Sequence, residues 1–184
     1  PRMTERRFVL EPLHEIAPEL VLAKGGPTVS ELLKNLSALR IRPVGNSPEE
    51  CEEAATALNR LMPSLTEDYT ALKAADVARM LSTGLTRIYL GRDESGKVQA
   101  GATLVLCCSP TGCKAWIEDV AVMPDCRRRG YGRAIIRFLI AESQRLDAKS
   151  LNLTSQPKRE AANALYRSEG FVLRETNVYR WQEK

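Results

Sequence analysis

The residues best suited to chemistry lie in a single stretch of the chain, from Ala115 to Ala134. Its first half contains an acidic pair, Glu118 and Asp119, among β-branched and aromatic residues that predict a strand, and Pro124 ends that strand. Its second half is a basic turn with two glycines: Arg127, Arg128, Arg129, Gly130, Tyr131, Gly132 and Arg133. Apolar residues at helical spacing follow, so the predicted order is strand, turn, helix.

This order suits the binding of a phosphate or pyrophosphate at the turn. A helix N-terminus carries backbone N–H groups without intrahelical partners and a partial positive charge. Glycines let the backbone approach a bulky anion closely, and arginines add charge. An ordinary tight turn has the same Gly-x-Gly pattern, so the motif alone leaves both interpretations open. Two known phosphate loops are excluded, because no Gly-Lys-Ser/Thr follows and the third glycine of a dinucleotide fingerprint is missing.

Two motifs resemble those of a known superfamily. Glu118–Pro124, followed by the turn Arg127–Gly132, resembles motif A of the GNAT superfamily of acetyl-CoA-dependent N-acetyltransferases. Downstream, Ala162–Phe171 resembles its motif B, with the core Leu165-Tyr166-x-x-x-Gly170-Phe171. The resemblance covers the chain roughly from Leu39 to Trp181. It implies an α/β (α+β) fold with a mixed, mostly antiparallel sheet of about six to seven strands, flanked by helices and splayed between strands 4 and 5.

The resemblance also implies how acetyl-CoA, the co-substrate, is held. Its pyrophosphate lies on the turn Arg127–Gly132 and on Arg133, against backbone amides and the helix dipole. The fourth strand carries a bulge, and the pantetheine pairs with the freed backbone near Val120 and Val122. The backbone N–H of Val122 polarises the thioester carbonyl.

Two catalytic residues follow from the same resemblance. Glu118 is the expected base, because Ile117-Glu118-Asp119 resembles the Glu-Asp pair on this strand in diamine N-acetyltransferases. The hydroxyl of Tyr166 is the expected acid that protonates the CoA sulfur. Alternatives stay open: a bulge that turns Asp119 toward the acceptor, a water relay, or structural roles for both carboxylates. For Tyr166 the alternative is a core tyrosine with a satisfied hydroxyl.

The chain departs from the superfamily at one cofactor contact. Seven residues before the motif B tyrosine, where the superfamily often has asparagine, this chain has Arg159, and Asn163 lies one turn further on. We transfer the asparagine role to neither residue, although Arg159 is suited to a CoA phosphate. The cysteines have no base nearby in sequence, so direct transfer in a ternary complex is favoured over an acyl-cysteine route.

These features predict an enzyme, an N-acetyltransferase that acetylates a primary amine. By resemblance, the connection from Ser64 to Ala71 lies over the acceptor pocket, where Glu67 and Asp68 would attract a small cationic amine. A solvated loop is the simpler interpretation of this connection. Two other function classes are open: an acyl-CoA sensor without transferase activity, and a protein acetyltransferase.

The remaining elements are predicted from periodicity and from turn and capping residues. Residues 1–37 predict two helices outside an acetyltransferase domain of residues 38–184. We favour helices that pack on the flank of the domain or on a partner chain over a regulatory or dimerising arm, and a homodimer is possible. A capping Ser47 begins the first domain helix, and another helix covers Arg159 to Glu169. Strands are predicted at Ala38–Pro43, Arg87–Gly91, Val98–Cys108, Leu151–Ser155, Phe171–Arg174 and Asn177–Trp181.

Composition limits the protein class. The 184 residues suit one domain, and the net charge of +4 with one local basic run does not favour a nucleic-acid partner. Five irregularly spaced cysteines and a single histidine predict free thiols in a reducing compartment and no metal site. No apolar run approaches the roughly 20 residues of a membrane span. We therefore expect a cytoplasmic protein with no membrane partner.

Overall fold

A computed structural model describes residues 7–35, 39–66 and 68–182. These residues form six α-helices: α1 Arg7–Ile16, α2 Val29–Asn35, α3 Pro48–Leu61, α4 Ala74–Leu81, α5 Tyr131–Arg145 and α6 Glu160–Ser168. Within the same described ranges there are five strands: β1 Arg40–Pro43, β2 Thr86–Arg92, β3 Val98–Ser109, β4 Gly112–Val122 and β5 Leu151–Leu153. The chain forms two compact units, which divide between Thr154 and Ser155. The first unit contains the whole sheet.

The sheet has the order β1-β2-β3-β4-β5. Strands β1 to β4 form an antiparallel meander, and β4 and β5 pair in parallel. The parallel pairing covers only three residues of each strand and ends at Ile117 opposite Leu153, whereas β4 continues to Val122. The expected mixed, mostly antiparallel sheet flanked by helices is therefore confirmed, and β4 leaves β5 at the position where a splay was expected.

Two of the predicted strands do not form among the described residues. Phe171–Arg174 and Asn177–Trp181 have no strand assignment, so the sheet has five strands rather than six or seven. Val172 is 86% exposed and Trp181 is 83% exposed. Their β-branched and aromatic side chains give strand propensity, but a strand also needs a neighbour to pair with and a surface to cover.

The core of the first unit lies between the sheet and the helices α3 and α4. Ser47 begins α3 with the predicted capping box, since its side chain accepts from the N–H of Glu50 and Glu50 accepts from the N–H of Ser47. Apolar residues at helical spacing then face the sheet. The largest buried members of this cluster are Leu58, Leu61, Met62, Ile88 and Leu90.

The N-terminal helices pack against each other and against the sheet-bearing unit. Leu10 of α1 and Val29 of α2 are fully buried. Glu11 of α1 forms an ion pair with Arg137 of α5 at 3.8 Å. None of the described helices is both long enough and apolar enough to cross a membrane.

Two cysteines differ from the prediction of free thiols. The β3–β4 hairpin pairs Ser109 with Gly112, so its register sets Cys108 directly opposite Cys113. Their Cα atoms are 3.9 Å apart, and the two residues form a disulfide. The prediction was wrong for this pair because it used spacing along the chain and not the hairpin register. The expectation of a reducing compartment, which rested on free thiols, loses this support. Cys51, Cys107 and Cys126 are free thiols.

A partly buried ionic cluster holds α5 on the sheet. The Tyr89 hydroxyl of β2 donates to Glu142 Oε1 of α5 at 2.8 Å, and the Arg145 guanidinium donates two bonds of 2.8 Å to the same carboxylate. Arg87 lies 3.9 Å from it. These bonds, those of Arg145 above all, lower the pKa of Glu142 from 4.5 to about 2. Burial and the bond to Glu142 raise the pKa of Tyr89, so its hydroxyl stays a donor.

We expect Glu142→Gln to lower the free energy of unfolding at pH 7 by about 2 kcal/mol, the worth of hydrogen bonds to a charged group. Because the folded-state pKa is depressed, this stabilisation is complete above the unfolded value of 4.5 and is lost as the pH falls toward about 2. Urea unfolding at pH 7 and pH 3 measures both effects. Glu53→Gln is the control, since the exposed Glu53–Arg92 pair is worth less than about 1 kcal/mol. An unchanged gap between wild type and Glu142→Gln at pH 3 would contradict this account.

Candidate active site

A β-bulge interrupts β4 at the acidic pair. Thr103 pairs with Glu118 and Gly101 pairs with Ala121, so two β4 residues, Asp119 and Val120, stand opposite one residue of β3. Asp119 has a φ of 54°, in the left-handed region that few residues other than glycine, asparagine and aspartate adopt. The bulge expected on the fourth strand is therefore present, and it lies at the carboxylates themselves.

The bulge breaks the alternation that would send Glu118 and Asp119 to opposite faces. Both residues keep more than a third of their surface exposed, yet nearby protein atoms displace part of the hydration of their carboxyl groups. This partial burial raises the pKa of Glu118, and the negative charge of Asp119 raises it further. Partial burial also raises the pKa of Asp119. The carboxylates of Glu118 and Asp119 therefore interact, and each binds a proton more readily than an ordinary carboxylate.

The connection between α3 and α4 brings an aromatic ring near the bulge. Burial raises the pKa of Tyr69, and the charge of Asp119 adds to the effect, so the two side chains lie within electrostatic reach. The Tyr69 hydroxyl donates to Asn59 Oδ1 at 2.7 Å, and that oxygen also accepts from the N–H of Leu72 at 2.8 Å. Asn59 Nδ2 donates back to the Leu72 carbonyl at 3.0 Å. The amide of Asn59 thus fixes this connection. Of the two acidic residues predicted there, Asp68 is exposed and Glu67 lies outside the described residues.

The basic turn has two left-handed residues before the helix. Arg128 has a φ of 64° and Gly130, which immediately precedes α5, has a φ of 84°. The side chains of Arg127, Arg128 and Arg129 are exposed. The N–H of Ala134 bonds the Gly130 carbonyl at 2.9 Å and makes the first turn of α5. The turn therefore joins three exposed cations to the positive end of a helix dipole.

The other predicted cofactor residues have different surroundings. The side chain of Tyr131 is buried, so its predicted contact with a cofactor rests on its backbone. Arg133 lies in the first turn of α5 and is half-buried, as are Val120 and Val122 of β4. Among the described residues no strand pairs with the β5-facing edge of β4 beyond Ile117.

Tyr166 belongs to α6 in the second unit. It is half-buried, its ring meets that of Phe171 edge-on at 6.0 Å, and burial raises the pKa of its hydroxyl while the charge of Arg159 opposes the shift. Asn163 donates to the carbonyl of Gln156 at 2.9 Å, which occupies its amide within the same unit.

Sequence reasoning missed the hydrogen bonds of Asn59 to Tyr69 and Leu72, which fix the connection between α3 and α4. Asn59 is a weak helix former in a helix otherwise rich in alanine, leucine and glutamate, and this mismatch was the available signal. Its partners lie on a connection 10 to 13 residues away, which periodicity does not reveal.

Comparison with known proteins identifies the class. Residues 56–171 match the family model described as the acetyltransferase (GNAT) family. The match covers more than half of the chain, so the chain belongs to this family and is an acyltransferase. None of the curated protein sequences compared matches it.

Solved structures with the same fold support this assignment. A protein of Agrobacterium tumefaciens str. C58 assigned to the acetyltransferases is 27% identical, has a TM-score of 0.68, and aligns over 78% of this chain and 100% of its own. An aminoglycoside acetyltransferase from an uncultured soil metagenomic sample is 21% identical with a TM-score of 0.68, covering 80% of this chain and 99% of its own. Glucosamine-6-phosphate N-acetyltransferase from Arabidopsis thaliana is 17% identical with a TM-score of 0.62, covering 79% and 99%. For the last two structures the similarity shows a shared fold and no more.

The backbone at Asp119 gives a stability prediction. Asparagine tolerates left-handed φ and a β-branched residue does not, so we expect Asp119→Val to be about 1–2 kcal/mol less stable than Asp119→Asn. Urea unfolding at pH 7 measures the difference. Glu118→Val is the control, because it places valine at the neighbouring residue, which has no positive φ. Equal stability of the two Asp119 variants would mean that the bulge does not hold residue 119 in this conformation.

Proposed function

We propose that this acetyltransferase moves the acetyl group of acetyl-CoA to a primary amine of a small cationic acceptor by direct attack in a ternary complex. The observation that carries the proposal is the bulge of Asp119 and Val120 next to Glu118. It sets two interacting carboxylates on the strand that leads into the basic turn Arg127–Gly132. We keep residues 38–184 as the catalytic domain and residues 1–37 as a helical extension.

The basic turn supports the binding of acetyl-CoA. The exposed side chains of Arg127, Arg128 and Arg129 supply positive charge, and the N-terminus of α5 supplies oriented backbone dipoles. A glycine at the left-handed position 130 keeps the backbone accessible there. In this proposal Arg133 adds to the phosphate contacts, and the backbone of Val120 and Val122 pairs with the pantetheine.

The carboxylates support proton removal from the acceptor. An amine attacks only as the neutral base, so its ammonium proton must leave first. The raised pKa of Glu118 brings this group closer to the pKa of the proton donor than an ordinary carboxylate. Glu118 accepts the proton directly or through one water, the nitrogen–carbon bond forms, and the carbon–sulfur bond breaks. Tyr166, kept protonated by its raised pKa, donates its proton to the departing thiolate.

The same region supports a cationic acceptor. Glu118 and Asp119 carry negative charge at neutral pH, and the ring of Tyr69 lies within electrostatic reach of Asp119. An ammonium group is attracted both by carboxylates and by an aromatic face. Asp68 adds an exposed charge on the connection that carries Tyr69.

Thermal unfolding with acetyl-CoA tests the cofactor site. A ligand at 100 times its dissociation constant that binds only the folded protein adds about 2.7 kcal/mol to its stability, which raises the Tm measurably. We expect Gly130→Glu to abolish this shift, because a carboxylate at the turn repels and obstructs the pyrophosphate. Gly84→Glu is the matched control, since Gly84 also has a positive φ, of 67°, with no atom near its absent Cβ.

The control separates strain from binding. Both variants strain a left-handed backbone, so both are expected to melt lower without ligand. Only Gly130→Glu is expected to lose the acetyl-CoA shift. An absent shift in the folded wild-type protein would refute the proposed function, whereas a shift retained by Gly130→Glu would place the cofactor away from this turn.

The pH dependence of kcat/KM, read by release of the CoA thiol over an amine panel, tests the acid and the base. Because the pKa of Glu118 is raised, we expect activity to fall on the acid side at a pH above the ordinary 4.5 of a glutamate. Glu118→Gln is expected to lower kcat/KM by about 10²- to 10⁴-fold and to abolish this acid limb. Tyr166→Phe is expected to abolish the fall at high pH that follows loss of the tyrosine proton.

Asp119→Asn distinguishes the two carboxylates. If Glu118 is the base, removing the neighbouring charge lowers its pKa, so the acid limb moves to lower pH and persists. A variant that instead loses the limb identifies Asp119 as the base. Tight binding of acetyl-CoA with no thiol release over the whole panel would favour the sensor hypothesis.

A further inference from the structure

A buried polar side chain links the sheet to the segment that enters the basic turn. Gln99, the second residue of β3, is only 6% exposed, and the proposed chemistry does not use it. A buried amide is costly unless its donor and acceptor are both satisfied. Both are satisfied here, by partners on two different segments.

The first partner is the turn between β2 and β3. Gln99 Nε2 donates to Asp93 Oδ2 at 2.6 Å. The other oxygen of Asp93 accepts from Ser95 Oγ at 2.6 Å and from the N–H of Lys97 at 3.1 Å. These bonds, with that of Ser95 first and that of Gln99 second, lower the pKa of Asp93, which therefore remains an ionised acceptor at neutral pH.

The second partner is the segment after β4. The thiol of Cys126 donates to Gln99 Oε1 at 3.3 Å, and the N–H of Met123 donates to the backbone carbonyl of Gln99 at 2.9 Å. Cys126 is 4% exposed and immediately precedes Arg127, the first residue of the basic turn. Gln99 therefore holds both the first residue after β4 and the last residue before the arginines.

The direction of each bond in this chain is fixed. An ionised carboxylate only accepts, so Asp93 requires the NH2 group of Gln99 on its side. The amide oxygen of Gln99 then faces Cys126, which must donate. Burial raises the pKa of the Cys126 thiol, so the thiol keeps the proton that this bond needs.

We propose that Gln99 and Cys126 are positioning residues for acetyl-CoA, which hold the basic turn Arg127–Gly132 at the distance and orientation that the pyrophosphate requires. The inference rests on the proposed function. Within the segment, the N–H of Cys126 bonds Met123 O at 2.9 Å and the N–H of Arg127 bonds Pro124 O at 3.4 Å, and these local bonds shape the turn without placing it on the sheet. The Gln99 bonds supply that placement.

Paired cysteine variants test the proposal through binding of acetyl-CoA, measured by calorimetry. Cys126→Ala removes the donor, and we expect the Kd for acetyl-CoA to rise about three- to tenfold, the equivalent of one lost hydrogen bond. Cys126→Ser restores a donor of similar size, and its Kd is expected within about twofold of wild type. Cys51→Ala is the matched control, because Cys51 is a free cysteine that is 2% exposed on α3, away from the turn, and its Kd is expected to be unchanged.

A double-mutant cycle tests whether the two residues act together. Gln99→Met keeps the side-chain length, removes the side-chain bonds to Asp93 and Cys126 and leaves the backbone bond to Met123, so it is expected to weaken acetyl-CoA binding as Cys126→Ala does. The combined variant is expected to be no weaker than Gln99→Met alone, because both changes remove one contact. In steady-state assays we expect the KM for acetyl-CoA to rise, with little change in kcat at saturation or in the KM for the amine.

The outcomes separate this inference from the function on which it rests. A folded wild-type protein that does not bind acetyl-CoA overturns the proposed function and the inference together. Normal binding by wild type with an unchanged Kd in Cys126→Ala overturns the inference alone. It is also overturned if Cys126→Ser binds as weakly as Cys126→Ala, or if Cys51→Ala weakens binding equally, since these results indicate a packing effect.

Discussion

The left-handed backbone of Asp119 is the constraint on which the rest of the site depends. An extra residue in β4 needs one position that leaves the extended conformation, and aspartate is among the few residue types that accept it. The bulge, formed by Asp119 and Val120, begins two residues after Ile117, the last residue of β4 that pairs with β5. The irregularity therefore lies beside the carboxylates and shortly beyond the end of the parallel pairing. A regular strand would send Glu118 and Asp119 to opposite faces.

Helix α5 connects β4 to β5 along the chain, and hydrogen bonds fix it near both of its ends. Glu142, in its last turn, is bonded to Tyr89 of β2 and to Arg145. Before its first residue, the segment Met123–Cys126 is bonded to Gln99 of β3. A helix held at two separated points cannot rotate or slide without breaking these polar bonds. The direction of its dipole is therefore a property of the whole sheet and not of the basic turn alone.

Much of the fold was predictable because its signals are local. The capping box at Ser47, the alternation of apolar and basic residues in β1, and the strand-turn-helix order around Gly130 all depend on neighbouring residues. The motif positions Glu118 and Gly130 were found for the same reason, although their roles remain proposals.

What sequence reasoning missed depends on pairing between distant segments. The disulfide of Cys108 and Cys113 follows from a hairpin register, and the absence of strands around Val172 follows from the lack of a neighbour among the described residues. The amide of Asn59 has its partners 10 to 13 residues away, and that of Gln99 reaches 27 residues along the chain to Cys126. A pattern of residue types does not show which polar groups of two distant segments will meet in the fold.

The edge of the sheet that β1 forms bears on how readily copies of the protein associate. Strand β1 forms this edge, and a bare edge is a template on which another molecule can add a strand and begin aggregation. Here the strand is four residues long, two of them are the exposed Arg40 and Arg42, and it ends at Pro43, which has no N–H to offer. Two copies that met along this edge would bring like charges together. The arginines of β1 thus disfavour association of two copies along this edge of the sheet.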